Sequence, residues 1–146
     1  MNLIREIKLN ETKICHSLDL ISIKLWNYNQ WVEELSKTNI KAFGIFIEQR
    51  LRGVCVSHLL FTEAELRYFS IHPEFQRRGL GTKLINRLLD HCAENEIENI
   101  FLEVSSKNET ALSFYQSIGF YTVNIRKNYY QDGSDALLKE IKILKK

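Results

Sequence analysis

Two glycines and two arginines, in Gln76-Arg77-Arg78-Gly79-Leu80-Gly81-Thr82, separate a strand-like run from a helix-like run and constrain this chain more than any other stretch. Residues 66–71 are rich in aromatic and branched side chains and end at His72-Pro73, which reads as a strand stopped by proline. From Leu80 onward, Leu84, Leu88 and Cys92 recur every four residues with Ile85 and Leu89 beside them. That is the apolar stripe of a helix running to about residue 95. The first turn of such a helix carries backbone N–H groups without intrahelical partners, and partial positive charge. Gly79 and Gly81 allow close backbone approach, Arg77 and Arg78 add two cations, and Thr82 adds a hydroxyl. Phosphate, and pyrophosphate above all, suits this junction; the plainer alternative is a tight glycine turn with solvated arginines. Neither G-x-G-x-x-G nor a Walker A loop is present, since Leu84 stands three after Gly81 and the local order is Gly81-Thr82-Lys83.

The 146 residues are expected to form one domain, 1–146, with a single core; a formal charge of +2 gives no argument for nucleic acid or an anionic membrane. No apolar run approaches membrane-spanning length, and the first ten residues lack the apolar core of a signal peptide, so the cytoplasm is the expected compartment. Cys15, Cys55 and Cys92 match neither a disulfide framework nor a zinc pattern; Cys55 and Cys92 read as small core residues.

Residues 3–9 read as a strand, and Ile14, Leu18, Ile21 and Leu25 predict a helix over 11–25. Asn27 with Gln30 forms a capping-box pattern for a second helix, on which Trp31 and Leu35 look inward. Residues 41–48 and 53–61 are strands around a turn at 49–52, and 62–63 turn into the strand before the glycines. Residues 99–105 form a strand with Ile100, Leu102 and Val104 on one face and Phe101 and Glu103 on the other. A helix over 108–118 is capped by Ser106 or Asn108 and ended by Gly119. Residues 120–125 and 136–144 are the last strands, joined through 131–134. The order β-α-α-β-β-β-α-β-α-β-β predicts a mixed α/β sheet with helices on both faces.

The spacing Gln76-x-x-Gly79-x-Gly81, set between such a strand and such a helix, resembles the acetyl-CoA loop of the GNAT superfamily of N-acetyltransferases. Leu102-Glu103-Val104, Asn108, Ala111-Leu112-x-Phe114-Tyr115 and Gly119-Phe120 extend that resemblance. Arg126-Lys127-Asn128-Tyr129-Tyr130, then Gly133 and Asp135-Ala136, is similar to the RimI branch, whose members acetylate the N-terminal alanine of a ribosomal protein. The similarity covers residues 64–138, and more loosely the Leu25-Trp26 entry to the second helix.

The resemblance implies a seven-stranded, mostly antiparallel GNAT-type sheet, splayed where the strand before the glycines runs parallel to the strand of Glu103. It implies acetyl-CoA as co-substrate, no metal, and a protein N-terminus as acceptor, a ribosomal protein first. Phe69, Ser70 and Ile71 would then offer backbone groups to the pantetheine arm. Gln76, Arg77, Arg78, Gly79, Leu80, Gly81 and Thr82 would hold the pyrophosphate, and Asn108 would bind the far wall of the arm. Glu103 matches the family's proton acceptor and Tyr115 its general acid. The chain departs from RimI relatives at Tyr68 and Ser70, where a small polar residue and alanine are commoner; both positions flank the acceptor site.

The chemistry requires such a pair. An amine attacks a thioester only with its lone pair free, which calls for a base. An α-amine, with a pKa near roughly 7.7–8.0, asks less of that base than lysine at about 10.4. The departing thiolate needs a proton, which a phenol can give, and backbone N–H groups can stabilise the oxyanion. Taken singly, Glu103 is also a solvated strand residue, Tyr115 a core ring, His58 and His72 strand and turn residues, and Tyr129 and Tyr130 strand-edge aromatics. Rival functions are acetylation of a small amine such as a polyamine or aminoglycoside, a non-catalytic acyl-CoA-binding regulator, and a nucleotide-binding module. Retention of Glu103 and Tyr115 argues against the regulator. No direct nucleic-acid or membrane partner is expected, and oligomeric state is left open.

Overall fold

The computed structural model describes residues 2–144. The chain runs β1 (Asn2–Ile7), α1 (Thr12–Ile21), α2 (Tyr28–Leu35), β2 (Ile40–Ile47), β3 (Arg50–Leu60), β4 (Glu63–Ile71), α3 (Leu80–Glu94), β5 (Asn99–Ser105), α4 (Glu109–Ile118), β6 (Tyr121–Arg126) and β7 (Ala136–Lys142), with short 3-10 turns at Leu9–Glu11 and Pro73–Phe75. One seven-stranded sheet forms in the order β1-β2-β3-β4-β5-β7-β6. Every pairing is antiparallel except β4 with β5. That is the expected order and the expected mixed sheet.

Two apolar layers cover its faces. Leu80, Leu84, Ile85, Leu88 and Cys92 of α3 pack with Ile100, Leu102 and Val104 of β5, and α4 adds Ala111, Phe114 and Tyr115. On the other face Cys15 and Leu18 of α1 and Trp31 and Leu35 of α2 meet Val54, Val56 and Tyr68. Alternation along β4 therefore sends Phe69 to the first layer and Tyr68 to the second.

The helix expected over 11–25 ends at Ile21, and its inward residues are Cys15, Leu18 and Asp19 rather than Ile14, Ile21 and Leu25, which are exposed. Asp19 is the reason. Its fully buried carboxylate accepts from the backbone N–H of Leu25 and Trp26, from the Trp31 indole and from the Tyr68 phenol. Those bonds turn the chain back where the helix would otherwise continue. A buried carboxylate without partners would cost several kcal/mol, so the four donors are what make this burial tolerable. Trp26, Trp31 and Tyr68 close round it with ring centroids 4.7–5.2 Å apart.

Other expected boundaries move by a few residues. The β2–β3 turn is Glu48-Gln49, both with positive φ, rather than 49–52, because a two-residue turn of that hand matches the twist of the strands. β4 begins at Glu63, and β7 ends at Lys142 rather than at residue 144. Asn27 and Gln30 form the expected capping box, and Asn108 rather than Ser106 caps α4.

Close strand packing gives a stability prediction. A Cβ on Gly53 of β3 would lie 2.5 Å from Ile71 Cδ1, 2.9 Å from Ile45 Cγ2 and 3.2 Å from the backbone oxygen of Ser70. Gly53→Ala should lower stability by about 1–3 kcal/mol through overpacking, read from urea denaturation. An unchanged midpoint would mean that Ile45 and Ile71 yield freely.

Candidate active site

The parallel pair β4/β5 is bonded only at its start. Glu63, Ala64 and Glu65 pair with Asn99, Ile100 and Phe101, and beyond that the strands diverge. Residues 66–71 of β4 thus lose their neighbour on one side while keeping β3 on the other. A cavity of about 450 Å³ opens at the gap, walled by Phe69, Ser70 and Ile71 on β4, by residues 75–77 and 79–82, and by Asn108, Ala111, Phe114 and Tyr115 around α4.

The glycine loop shapes its mouth. Gly79 adopts φ +79 as the residue before α3, and Arg77 also has positive φ, so the chain curls to aim the first turn of α3 toward the gap. Nothing lies within 4 Å of a Cβ built on Gly79, so its requirement is conformational. Gly81 is held small by contact: its Cβ would lie 3.3 Å from Phe114 and 3.6 Å from Phe69. Those two rings stack with centroids 5.2 Å apart, so Gly81 lets α3 sit against the aromatic floor of the cavity. Gln76 turns its amide back to donate to the Ile71 carbonyl, and Asn108 accepts from the Ala111 N–H.

Of the residues expected to hold the co-substrate, Phe69, Ser70, Ile71, Gln76, Arg77, Gly79, Leu80, Gly81, Thr82 and Asn108 line this cavity. Arg78 does not; its guanidinium lies over the Phe75 ring, 4.9 Å from the centroid. The sequence reading missed Ser22, Ile23, Phe75 and Thr110 as wall residues. Ser22 and Ile23 follow α1 directly, and no local pattern distinguishes them from the helix that the apolar spacing predicts over 11–25.

Tyr115 lines the cavity from α4, its ring edge-on to Phe69 and Phe120, and burial raises its phenol well above the ordinary value. Glu103 is placed differently. Ile100, Leu102 and Val104 face the α3/α4 layer, so Glu103 points from the opposite face of β5. There the Tyr130 phenol donates to Glu103 Oε1 at 3.2 Å, and Arg126 approaches Oε2 at 3.8 Å. Tyr129 and Tyr130 belong to the β6–β7 loop rather than to a strand edge. Asp135 ties that loop down by accepting from the Asn128 N–H. His72 accepts from the Glu74 N–H in the turn after β4, and among the described residues no cluster could hold a metal ion. No described helix is long and apolar enough to cross a membrane.

A seven-stranded sheet opened at its single parallel pair, with a helix N-terminus aimed into the opening, offers a cleft for an extended ligand that ends in phosphate. The chain belongs to the acetyltransferase (GNAT) family, matched over residues 8–120. It is an N-acetyltransferase with acetyl-CoA as acyl donor. Among curated relatives, the [ribosomal protein bS18]-alanine N-acetyltransferase of Salmonella typhimurium is 33% identical over 99 residues, 66% of this chain and 67% of that protein. The crystal structure of the ribosomal-protein-S18-alanine N-acetyltransferase from Escherichia coli superposes with TM-score 0.92 at 24% identity, covering 98% of this chain and 94% of that one. A PaiA N-acetyltransferase from Thermoplasma acidophilum, solved in complex with coenzyme A, gives TM-score 0.75 at 20% identity, covering 97% and 99%.

The Tyr130–Glu103 contact has a pH signature. Burial and the Glu103 carboxylate push the Tyr130 phenol from 10.0 up to about 12. The folded state then keeps a proton that the unfolded chain loses first, so the contact's contribution is present below pH 10 and disappears as pH rises toward about 12. Denaturation of wild type and Tyr130→Phe at several pH values should show wild type losing stability faster across that window. Parallel curves would exclude the contact in solution.

Proposed function

We propose that this enzyme acetylates the α-amine at the N-terminus of a protein, with a ribosomal protein as the expected acceptor. The observation that carries this reading is that Tyr115 lines the cavity from α4, while Glu103 leaves the opposite face of β5 beside Tyr130 and Arg126. A base and an acid so divided match a reaction in which the amine arrives on one side and the thiolate leaves on the other. On the Glu103 side, exposed Ile21 ends α1 and exposed Ile23 and Leu25 follow it, while Tyr129 and Tyr130 stand on the β6–β7 loop. Apolar and aromatic walls suit the first residues of a peptide. A polycationic amine would call instead for several carboxylates, and Glu103 already has Arg126 beside it. The relatives named for alanine N-acetylation of bS18 support the same reading.

In this scheme Gln76, Arg77 and residues 79–82 hold the pyrophosphate against the first turn of α3, whose free N–H groups and dipole favour anions. Residues 69–71 offer β4 backbone groups to the pantetheine arm, and Asn108 stands at its far wall. Glu103, directly or through a water, takes the proton from an amine already partly neutral near pH 7, given its pKa of roughly 7.7–8.0. Tyr115 returns a proton to the sulfur. A phenol kept protonated by its surroundings is suited to that task, since it reaches the end of the reaction still carrying the proton it must give. Residues 1–146 work as one domain in this reading, and the compartment is the cytoplasm.

Two measurements test it. Tyr115→Phe keeps the ring contacts and removes the hydroxyl, so thermal stability should hold while turnover falls about 10²–10⁴-fold; wild-type turnover with chemistry rate-limiting would reduce Tyr115 to packing. Short peptides with free or blocked N-termini, assayed for thiol release and mapped by mass spectrometry, should carry label on the free α-amine only. Label on lysines of blocked peptides at equal rates, or transfer only to polyamines, would overturn the acceptor assignment.

A further inference from the structure

Ser70 and Tyr68 belong to one hydrogen-bonded chain that starts deep in the protein at Asp19 and ends at the cavity. Asp19, fully buried, faces four donors, so its carboxylate can only accept. Tyr68 therefore gives its proton to Asp19 Oδ1, at 2.7 Å. The Tyr68 oxygen in turn accepts from Ser70 Oγ at 2.9 Å, which commits the one proton that Ser70 owns. Ser22 Oγ stands 3.3 Å from Ser70 Oγ, but its better-placed acceptor is the Leu18 carbonyl at 2.8 Å. The direction of every bond is thus set from the buried end outward. Ser70 is left with lone pairs and no proton to offer, at a cavity that both serines line.

Placement adds the second half of the argument. Ser70 is two residues from Tyr68 on β4 and shares its face, the one opposite α3 and α4. Glu103 leaves β5 on that same face. A hydroxyl locked as acceptor on that side pairs with an N–H donor and rejects a bare oxygen. The incoming amine is such a donor, and a bond from one of its N–H groups would hold it while its lone pair stays free for the thioester.

We propose that Ser70 is a specificity-determining residue for the acceptor: its oxygen, fixed as a pure hydrogen-bond acceptor through Tyr68 and Asp19, receives an N–H of the attacking amine. The inference rests on the reading of the Glu103 side as the acceptor side. Tyr68 and Asp19 are positioning residues. They act through Ser70, and they also bind the segment after α1 to the sheet.

Steady-state kinetics of the full chain test this, with each variant assayed on the best amine of the wild type from a panel of free N-terminal peptides and spermidine. Ser70→Ala should raise the acceptor KM about threefold to tenfold, the size of one hydrogen bond, while the acetyl-CoA KM stays at the wild-type value; the variant melts somewhat earlier, because the buried Tyr68 oxygen loses its donor. Tyr68→Phe frees the Ser70 proton to rotate and should raise the same KM, although it also melts earlier. The Ser70→Ala/Tyr68→Phe double variant should then show an acceptor KM no worse than the larger single effect, because the residues act as one unit. An unchanged acceptor KM in Ser70→Ala overturns the proposal, as does a rise confined to the acetyl-CoA KM, which would assign the hydroxyl to the donor instead. Failure of the N-terminal reading would show separately, as a wild-type preference for spermidine, and would leave the Ser70 comparison decisive.

Discussion

Everything about this molecule depends on β4 and β5 parting company after three residue pairs. Parallel strands normally stay paired because an unpaired backbone edge in a protein interior is expensive. Here the edge is left free over residues 66–71, at the centre of a seven-stranded sheet. The protein supplies part of the missing partnership itself, with the Gln76 amide on the Ile71 carbonyl. The remainder of the edge faces a cavity, where an extended ligand with amide groups would complete the ladder.

Two wedges of side chains flank the parted strand β4. On one face the stacked rings of Phe69 and Phe114 line the opening, and the first turn of α3 approaches them where Gly81 has no side chain. On the other face the Trp26, Trp31 and Tyr68 rings pack around the Asp19 carboxylate. The first wedge is apolar and adaptable. The second is polar, directional and intolerant of a lost partner, since any one deletion leaves a charge or a donor buried without its bond. The same carboxylate ends α1 and folds the following segment toward the cavity, so wall and wedge are built by one group.

The divergence also divides labour across the sheet. α3 and α4 bring the helix N-terminus, Asn108 and Tyr115 to one side. β5 turns Glu103 to the other, where the β6–β7 loop meets it through Tyr130 and Arg126. Because neighbouring residues of a strand point to opposite faces, the two sides of the opening carry different sets of side chains.

The sequence by itself determined the element order, the strand–glycine–helix junction and the capping of α2; for α4 it offered Ser106 or Asn108, and the resemblance named eleven residues for the co-substrate, ten of which line the cavity. Those features are local: helix and strand periods, caps and glycine torsions are all written within a few residues of one another. What the tertiary structure alone decided joins residues far apart in the chain. Asp19 with Tyr68, 49 residues away, changed where α1 ends and which of its sides is buried; Glu103 with Tyr130, 27 residues away, gave the carboxylate its partner. Arg78 was drawn from the loop to the Phe75 ring, and Ser22 and Ile23 joined the wall because a buried charge turned the chain there. An apolar stripe announces that a helix has an inward side, but Ile14, Ile21 and Leu25 made a stripe as regular as the true one. The choice between them fell to a carboxylate whose four donors come together only when the sheet and both helices are in place.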